Sequence, residues 1–368
     1  MSNILDKLTV ILTTNNQRID FIFRCLDYYN TQFGKYNLKI ILSDSGSNKD
    51  YHILKEKVLK KNYKLNIEFI NFISSQNYQN LKQDEYGKIK FEFTNRIKKA
   101  LDIVKTDYIV LAADDDFYFP EYFYKALEFL EQNEDYGSAY GHILKFRLKK
   151  FEAYNKFIKA WISEDNNPPN PWQEDENYKD RLIKLGQYPW SWFSWYSVQR
   201  KKVMKLTIDE AINFQVDGYL FEKLVSFCHS VLYKSKKFNF VHAARQDNDI
   251  HADYVREPFS YKKNVIRFNK FIDCCNSFIL KFTNIDRSES KDFVLSIAAK
   301  DLNEYKKNDD KEFLRKIKKK FIILFYLQKK FFKKKINFSI DKRLANKIDP
   351  TSYIDKIDYI KKIVEKKI

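Results

Sequence analysis

Tyr108-Ile-Val-Leu-Ala-Ala-Asp-Asp-Asp-Phe-Tyr-Phe-Pro120 is the stretch on which the fold turns. Six apolar residues in unbroken succession suit a strand buried on both faces, as in a parallel sheet covered by helices. The run stops abruptly at three carboxylates. Adjacent carboxylates in a low-dielectric setting repel one another unless a cation or solvent compensates them. In an extended segment Asp114 and Asp116 share one side and Asp115 takes the other, so one or two can ligate a hard Mg²⁺ or Mn²⁺ that in turn holds a diphosphate. The competing reading is a solvated acidic turn before the next helix, where carboxylates are favoured.

Working outward, the same grammar recurs. Leu8 to Thr13 reads as a strand, Thr14-Asn-Asn-Gln-Arg18 as its loop, and Ile19 to Tyr29 as a helix. Leu38 to Leu42, Ser43-Asp-Ser-Gly-Ser-Asn48 and Tyr51 to Lys60 repeat the unit. Ile67 to Ile73 is expected as a third strand, and a helix from about Phe91 to Val104 leads back to Tyr108. Strands alternating with helices predict an α/β fold with an open, Rossmann-like, mostly parallel sheet flanked by helices, whose ligands bind beyond the carboxyl ends of the strands. After Pro120 come a helix to Gln132 and a strand from Ser138 to Phe146. Residues 163–178, with Pro168, Pro169 and Pro171, read as a loop or lid. Tyr188 to Val198 is dense in aromatics, and from Lys262 the pattern is helical. The expected divisions are 1–120 and 121–260, two halves of one domain, then a helical C-terminal extension over 261–368.

The 368 residues, 44% hydrophobic and 17% aromatic, can bury enough surface to exclude a wholly disordered chain. Cys25, Cys228, Cys274 and Cys275 form no C-x-x-C pair and no disulfide framework, which fits a reducing compartment. The residues before the short apolar run Val10 to Leu12 do not read as a secretory leader, so secretion is not expected, and the longest uninterrupted apolar run, Phe321 to Leu327, is far short of a membrane span. The expectation is a cytoplasmic protein. Residues 311–368 hold 19 Lys and Arg against 6 Asp and Glu, so +13 of the formal +18 charge lies in this tail. Its apolar positions Phe313, Ile317, Phe321, Leu324, Phe325 and Phe332 recur at helical spacing among lysines. Such a helix can lie on an anionic membrane surface or pack on the domain with a solvated charged face. Nucleic-acid binding is the weaker reading, because no recognised nucleic-acid motif accompanies the charge.

Taken in order, Thr9-Val-Ile-Leu-Thr-Thr-Asn15, Leu42-Ser-Asp-Ser-Gly-Ser47, Asn95-Arg96, Leu111-Ala-Ala-Asp-Asp-Asp116 with Pro120, and Val216-Asp-Gly-Tyr219 resemble the family 2 glycosyltransferases of the GT-A fold, especially a bacterial branch with an Asp-Asp-Asp metal motif. The resemblance covers roughly residues 8–255. It implies that Thr13, Thr14, Asn15 and Asp44 hold base and ribose, and that Asn95 and Arg96 lie near the sugar-phosphate. Asp114, which is also placed at the nucleotide-sugar, Asp115 and Asp116 would supply metal ligands. Members commonly read Leu-Asp-x-Asp-Asp, and Ala113 stands where their first Asp lies. Asp217 follows where the family has a Glu-Asp pair, Val216 replacing the Glu. It is the expected base for the acceptor hydroxyl, with helix capping as its other role and Glu210 in reserve.

The leaving nucleoside diphosphate needs cations. In the resembling family a basic or histidine-bearing loop often closes over the phosphates here, which implies Arg245 at the phosphates and His242 beside the metal, with His251 an equal candidate to His242. Trp190, Trp192, Trp195 and Tyr196 can stack a sugar ring or fill the core; Trp190 and Trp192 are assigned to the acceptor groove. The expected activity is inverting transfer from a nucleotide-diphosphate sugar to a glycan or lipid-linked acceptor in bacterial surface polysaccharide synthesis, with Mn²⁺ or Mg²⁺ as cofactor. The alternative is a non-catalytic nucleotide- or glycan-binding scaffold.

Overall fold

The computed structural model describes residues 3–14, 19–72, 83–150, 155–162, 173–187, 194–216, 218–246 and 261–300, with 303, 358 and 360–362. Asn15, Trp190, Trp192, Asp217, His251 and nearly all of the basic tail lie outside them.

Four strands run parallel in the order β3-β2-β1-β4: β1 (Leu8–Thr14), β2 (Lys39–Asp44), β3 (Asn66–Asn71) and β4 (Tyr108–Ala113). Helices α1 (Ile19–Phe33), α2 (Asn48–Lys60) and α3 (Gln83–Ile103) connect them. The chain builds outward from β1 to β3 and then returns to lay β4 on the other side of β1. That reversal opens a crevice at the carboxyl ends of β1 and β4, where open α/β sheets take their ligands.

Beyond β4 the sheet becomes mixed. β8 (Val198–Arg200) bridges β4 to β6 (Tyr136–Lys150) by antiparallel pairing. β6 then pairs in parallel with β9 (Lys234–Gln246), whose end meets the short β5 (Asp116–Tyr118), and β7 (Asn155–Ile162) pairs with the far end of β6. Most paired residues are in parallel register. Helices α4 (Pro120–Gln132), α5 (Tyr178–Gly186), α6 (Lys201–Asn213), α7 (Gly218–Leu232) and α8 (Tyr261–Phe282) cover the sheet, and a further helix spans residues 287–300.

The alternation of each strand divides the core into two layers. Val10, Leu12, Ile40, Leu42, Val110 and Ala112 join residues of α1, α2 and α4. Ile11, Ile41, Ile109 and Leu111 join α3, α5, α6, α7 and α8. Burying one such Leu or Ile contributes about 1.5–3 kcal/mol. The α/β sheet with a helical C-terminal part is therefore the architecture that the sequence predicts, and no helix among the described residues is long and apolar enough to cross a membrane. Near the end of the basic tail, Ile360 is buried in the α1/α4 layer.

Two strands depart from the sequence reading. β5 is only three residues long and starts inside the acidic triplet, and the lysine-rich start of β9 masks its alternation. Of the aromatic stretch, residues 188–193 lie outside the described residues; Ser194 to Tyr196 form a turn, and Val198 enters a strand. β6 and β9 approach so closely that a Cβ at Gly141 would stand 2.3 Å from the Phe240 carbonyl oxygen.

Tyr122 ties three elements together: its buried hydroxyl donates to the Ala139 carbonyl at 2.6 Å and accepts from the Val198 N–H at 2.7 Å. Tyr122→Phe leaves both backbone groups buried without this partner. It should lower unfolding stability by about 1–3 kcal/mol, read as a lower urea midpoint.

Candidate functional site

The parallel register levels the strand ends. Thr14 is in line with Asp44, Asp44 with Asn71, and Thr13 with Ala113. Across the crevice the Thr14 hydroxyl donates to Asp114 Oδ2 at 2.9 Å, so the first and fourth strands are joined where their order reverses. Thr13 is part-buried and donates to the Ala112 carbonyl at 3.2 Å.

The loop after β2 wraps round its aspartate. Asp44 Oδ1 accepts the Gly46 N–H at 3.0 Å, an Asx-type turn, and the Ser45 N–H donates to the Thr14 carbonyl at 3.0 Å. Burial raises the Asp44 pKa, while the Gly46 N–H and the Arg96 guanidinium pull it down. Arg96 is itself buried on α3. Its Nη1 donates to the Thr14 carbonyl at 2.9 Å and to Ser45 Oγ at 2.8 Å. Asn95 beside it is half-buried, and Thr94 donates to the carbonyl of Val216 at 3.4 Å. One helix thus brings the first two loops and the segment before Asp217 together. Val216 itself is fully buried.

The acidic triplet is buried throughout, at 1%, 8% and 2% exposure for Asp114, Asp115 and Asp116. β9 provides the compensating cation. Asp116 is level with Arg245, whose Nε donates to Oδ1 at 2.6 Å and whose Nη2 donates to Oδ2 at 3.0 Å. The Ala113 N–H adds a third donor at 2.8 Å. Burial raises the Asp116 pKa, and Arg245 opposes that rise. For Arg245, desolvation acts to lower the pKa, but Asp116 and Tyr196 more than offset it and the guanidinium is held firmly protonated. Its Cζ lies 3.7 Å from the centre of the Tyr196 ring, a stacked cation–π contact.

Two expectations change. His242 does not fit a metal: its Nδ1 accepts the Gly141 N–H at 3.1 Å, and its Nε2 donates to the Tyr196 carbonyl at 3.1 Å. No ring lone pair remains for a cation. It is a core histidine beside Tyr118 and Tyr122, holding β9 to the turn that carries Tyr196. Glu210, the reserve base, ties α6 to α8, accepting from Ser277 Oγ at 2.5 Å with Lys281 Nζ at 3.6 Å.

Among the described residues no three His, Cys, Asp or Glu side chains are grouped to hold a metal. Mg²⁺ asks for less, since it keeps several waters and is commonly held by one or two carboxylates plus substrate phosphates. Asp116 is engaged by Arg245 and the Ala113 N–H, and Asp114 accepts the Thr14 hydroxyl.

Tyr196 is the functional neighbour that the sequence underweights. Trp195, next to it, packs in the core against Phe93 and Phe221 at ring distances of 5.8 and 5.5 Å.

No family model and no curated protein matches the chain. Among solved structures it is similar to S. aureus TarS at 13% identity and a TM-score of 0.46, covering 81% of this chain and 43% of that one. It thus spans less than half of that TarS structure. It is also similar to TarS 1–349 in complex with UDP-GlcNAc, at 13% identity and a TM-score of 0.47, covering 81% of this chain and 72% of that one. The likeness is distant on both measures.

Burial pushes the pKa of both His242 and His229 down to about 3. Unfolding returns each ring to about 6.5, so their contribution to stability is complete above pH 6.5 and is lost as pH falls toward 3, by about 1.4 kcal/mol per pH unit for each ring. Melting temperatures taken between pH 7 and pH 4 should fall steeply, and His242→Gln should flatten that slope.

Proposed function

We propose that this chain is a nucleotide-sugar glycosyltransferase of the GT-A type that transfers with inversion. The observation that carries the reading is the meeting at the β1/β4 crevice of Asp44, the triplet Asp114 to Asp116, and the guanidinium groups of Arg96 and Arg245. Carboxylates that can bind a ribose or a cation, beside fixed positive charge, form the pattern a nucleoside diphosphate requires.

In this reading Thr13, Thr14, Asn15 and Asp44 hold the nucleoside, and Asn95 and Arg96 lie along the sugar-phosphate. Asp114 and Asp115 hold Mn²⁺ or Mg²⁺, which when bound would neutralise charge on the departing diphosphate. Arg245, fixed by Asp116 and Tyr196, offsets the same charge from the protein side. Asp217 accepts the proton of the acceptor hydroxyl as its oxygen bonds to the anomeric carbon. The bond from that carbon to phosphate oxygen breaks, and its electron pair leaves with the nucleoside diphosphate. Trp190 and Trp192 receive the acceptor, a glycan or lipid-linked glycan of a bacterial surface polysaccharide, and the basic stretch over 311–368 draws the enzyme to the inner face of the membrane.

A non-catalytic scaffold is the second reading. Val216 favours it, because the position that carries a Glu in the resembling family is here apolar and closed in the core.

Calorimetry with UDP, GDP and CMP, with Mn²⁺ or with EDTA, should show one nucleotide bound and its affinity raised by the ion. Asp217→Asn should retain that binding and lower transfer at least about a hundredfold. Binding without turnover of any nucleotide sugar supports a nucleotide-binding scaffold, and no binding of any nucleotide removes the transferase and favours a glycan-binding scaffold.

A further inference from the structure

Ser194 opens the turn that carries Tyr196, and its carbonyl is held twice: Ser197 Oγ donates to it at 2.6 Å and Gln199 Nε2 at 3.1 Å. Gln199 is itself fixed, because its backbone pairs with Ile109 of β4 on one side and with Ser138 of β6 on the other. A carbonyl only accepts, so it sets the Gln199 amide with its NH₂ toward the turn and its oxygen toward α7. There Oε1 lies 2.9 Å from His229 Nε2, which must therefore carry the ring proton. Nδ1 keeps its lone pair. It has no hydrogen-bond partner among the described residues, and Gly137 closes on it so tightly that a Cβ there would stand 3.1 Å away. Ser194, Gln199 and His229 are all fully buried.

This relay meets the candidate site on two sides. Tyr196, two residues after Ser194, stacks on Arg245, whose guanidinium is paired with Asp116. His229 belongs to α7, the helix that follows Asp217, and Phe221 of the same helix packs edge-on against Trp195 at 5.5 Å between ring centres. α7 therefore grips the turn at two points about two helical turns apart, and the turn resists tilting against the helix. The one N–H of His229 is engaged by Gln199, and its other nitrogen is sealed against Gly137. The ring has no proton to pass to a substrate, so what it supplies is direction.

We propose that Gln199 and His229 are positioning residues for transfer: through Ser194 they set the aromatic turn that aims Arg245 at the departing diphosphate, and they register that guanidinium against the helix that Asp217 precedes. The inference rests on the transferase reading, because only there does Arg245 have a diphosphate to face. A relay that served folding alone would differ in one respect: its loss would not be felt through Arg245.

The test uses the full chain with Mn²⁺ and measures UDP and GDP by calorimetry, with uridine and guanosine as competitors. For whichever diphosphate binds, His229→Leu and Gln199→Met should each weaken it about tenfold, while the matching nucleoside changes by less than about twofold. His229→Gln, whose amide can donate from the place of Nε2, should recover most of the loss. Ser230→Ala removes a buried hydrogen bond to Gln173 one position along α7, away from the turn, and should leave diphosphate affinity within about twofold of the wild type. In an Arg245→Ala background His229→Leu should add less than about twofold, because the two residues act as one unit. If His229→Leu does not fold, Gln199→Met takes its place in that cycle. Equal loss of nucleoside and diphosphate, no recovery in His229→Gln, equal loss in Ser230→Ala, or full additivity with Arg245→Ala overturns the proposal. If a diphosphate binds and the relay variants bind it as well as the wild type does, the positioning proposal falls alone. If the wild type binds neither diphosphate, the transferase reading falls and takes the proposal with it.

Discussion

Three consecutive carboxylates at the dry end of a buried strand are the constraint around which this molecule is arranged. Left together they would protonate or force the strand end into solvent. Each relief comes from a different part of the chain. Thr14 reaches Asp114 across the crevice, the Ala113 N–H folds back on Asp116, and Arg245 arrives from β9 at the matching rung. β9 in turn must be held in place, and His242, three residues before Arg245, is fastened to both Gly141 and Tyr196. The position of the aromatic turn thus follows from the need to neutralise an aspartate far away in sequence.

The parallel half of this arrangement was legible in the residues themselves. Apolar runs at Val10 to Leu12, Ile40 to Leu42 and Tyr108 to Ala113, each ended by polar loop residues, give the strands, and the α/β rule gives the edge that carries Asp44 and Asp114. The mixed half was not. Three residues of β5 are too few to show a period, and the lysines of β9 hide apolar alternation that serves only one face. Among the site residues, composition marks the aspartates but does not say which of them is paired with a guanidinium of the protein. That distinction depends on a rung shared by Asp116 and Arg245, 129 positions apart. His242 misled for a related reason: a histidine near carboxylates suggests coordination, whereas its two ring nitrogens are both engaged by backbone groups.

The Asp116 to Arg245 pair is better viewed as a device for orientation than for stability. Removing two charges from water offsets most of what their attraction contributes. What the pair secures is a guanidinium of fixed direction, sandwiched between a carboxylate and the Tyr196 ring. A cation already oriented needs little rearrangement when negative charge develops beside it, which is the condition under which electrostatic stabilisation is most effective.

The interleaving of early and late strands bears on how the polypeptide emerges during translation. β4 is finished long before β8, the strand that closes its outer side, has been synthesised. For that interval the nascent chain presents an apolar strand with one unsatisfied margin, the kind of surface that recruits chaperones or pairs with a neighbouring polysome product. Slow decoding between residues 113 and 198 would prolong the exposure, so the yield of this protein in a foreign host should depend on codon choice in that interval more than on its final stability.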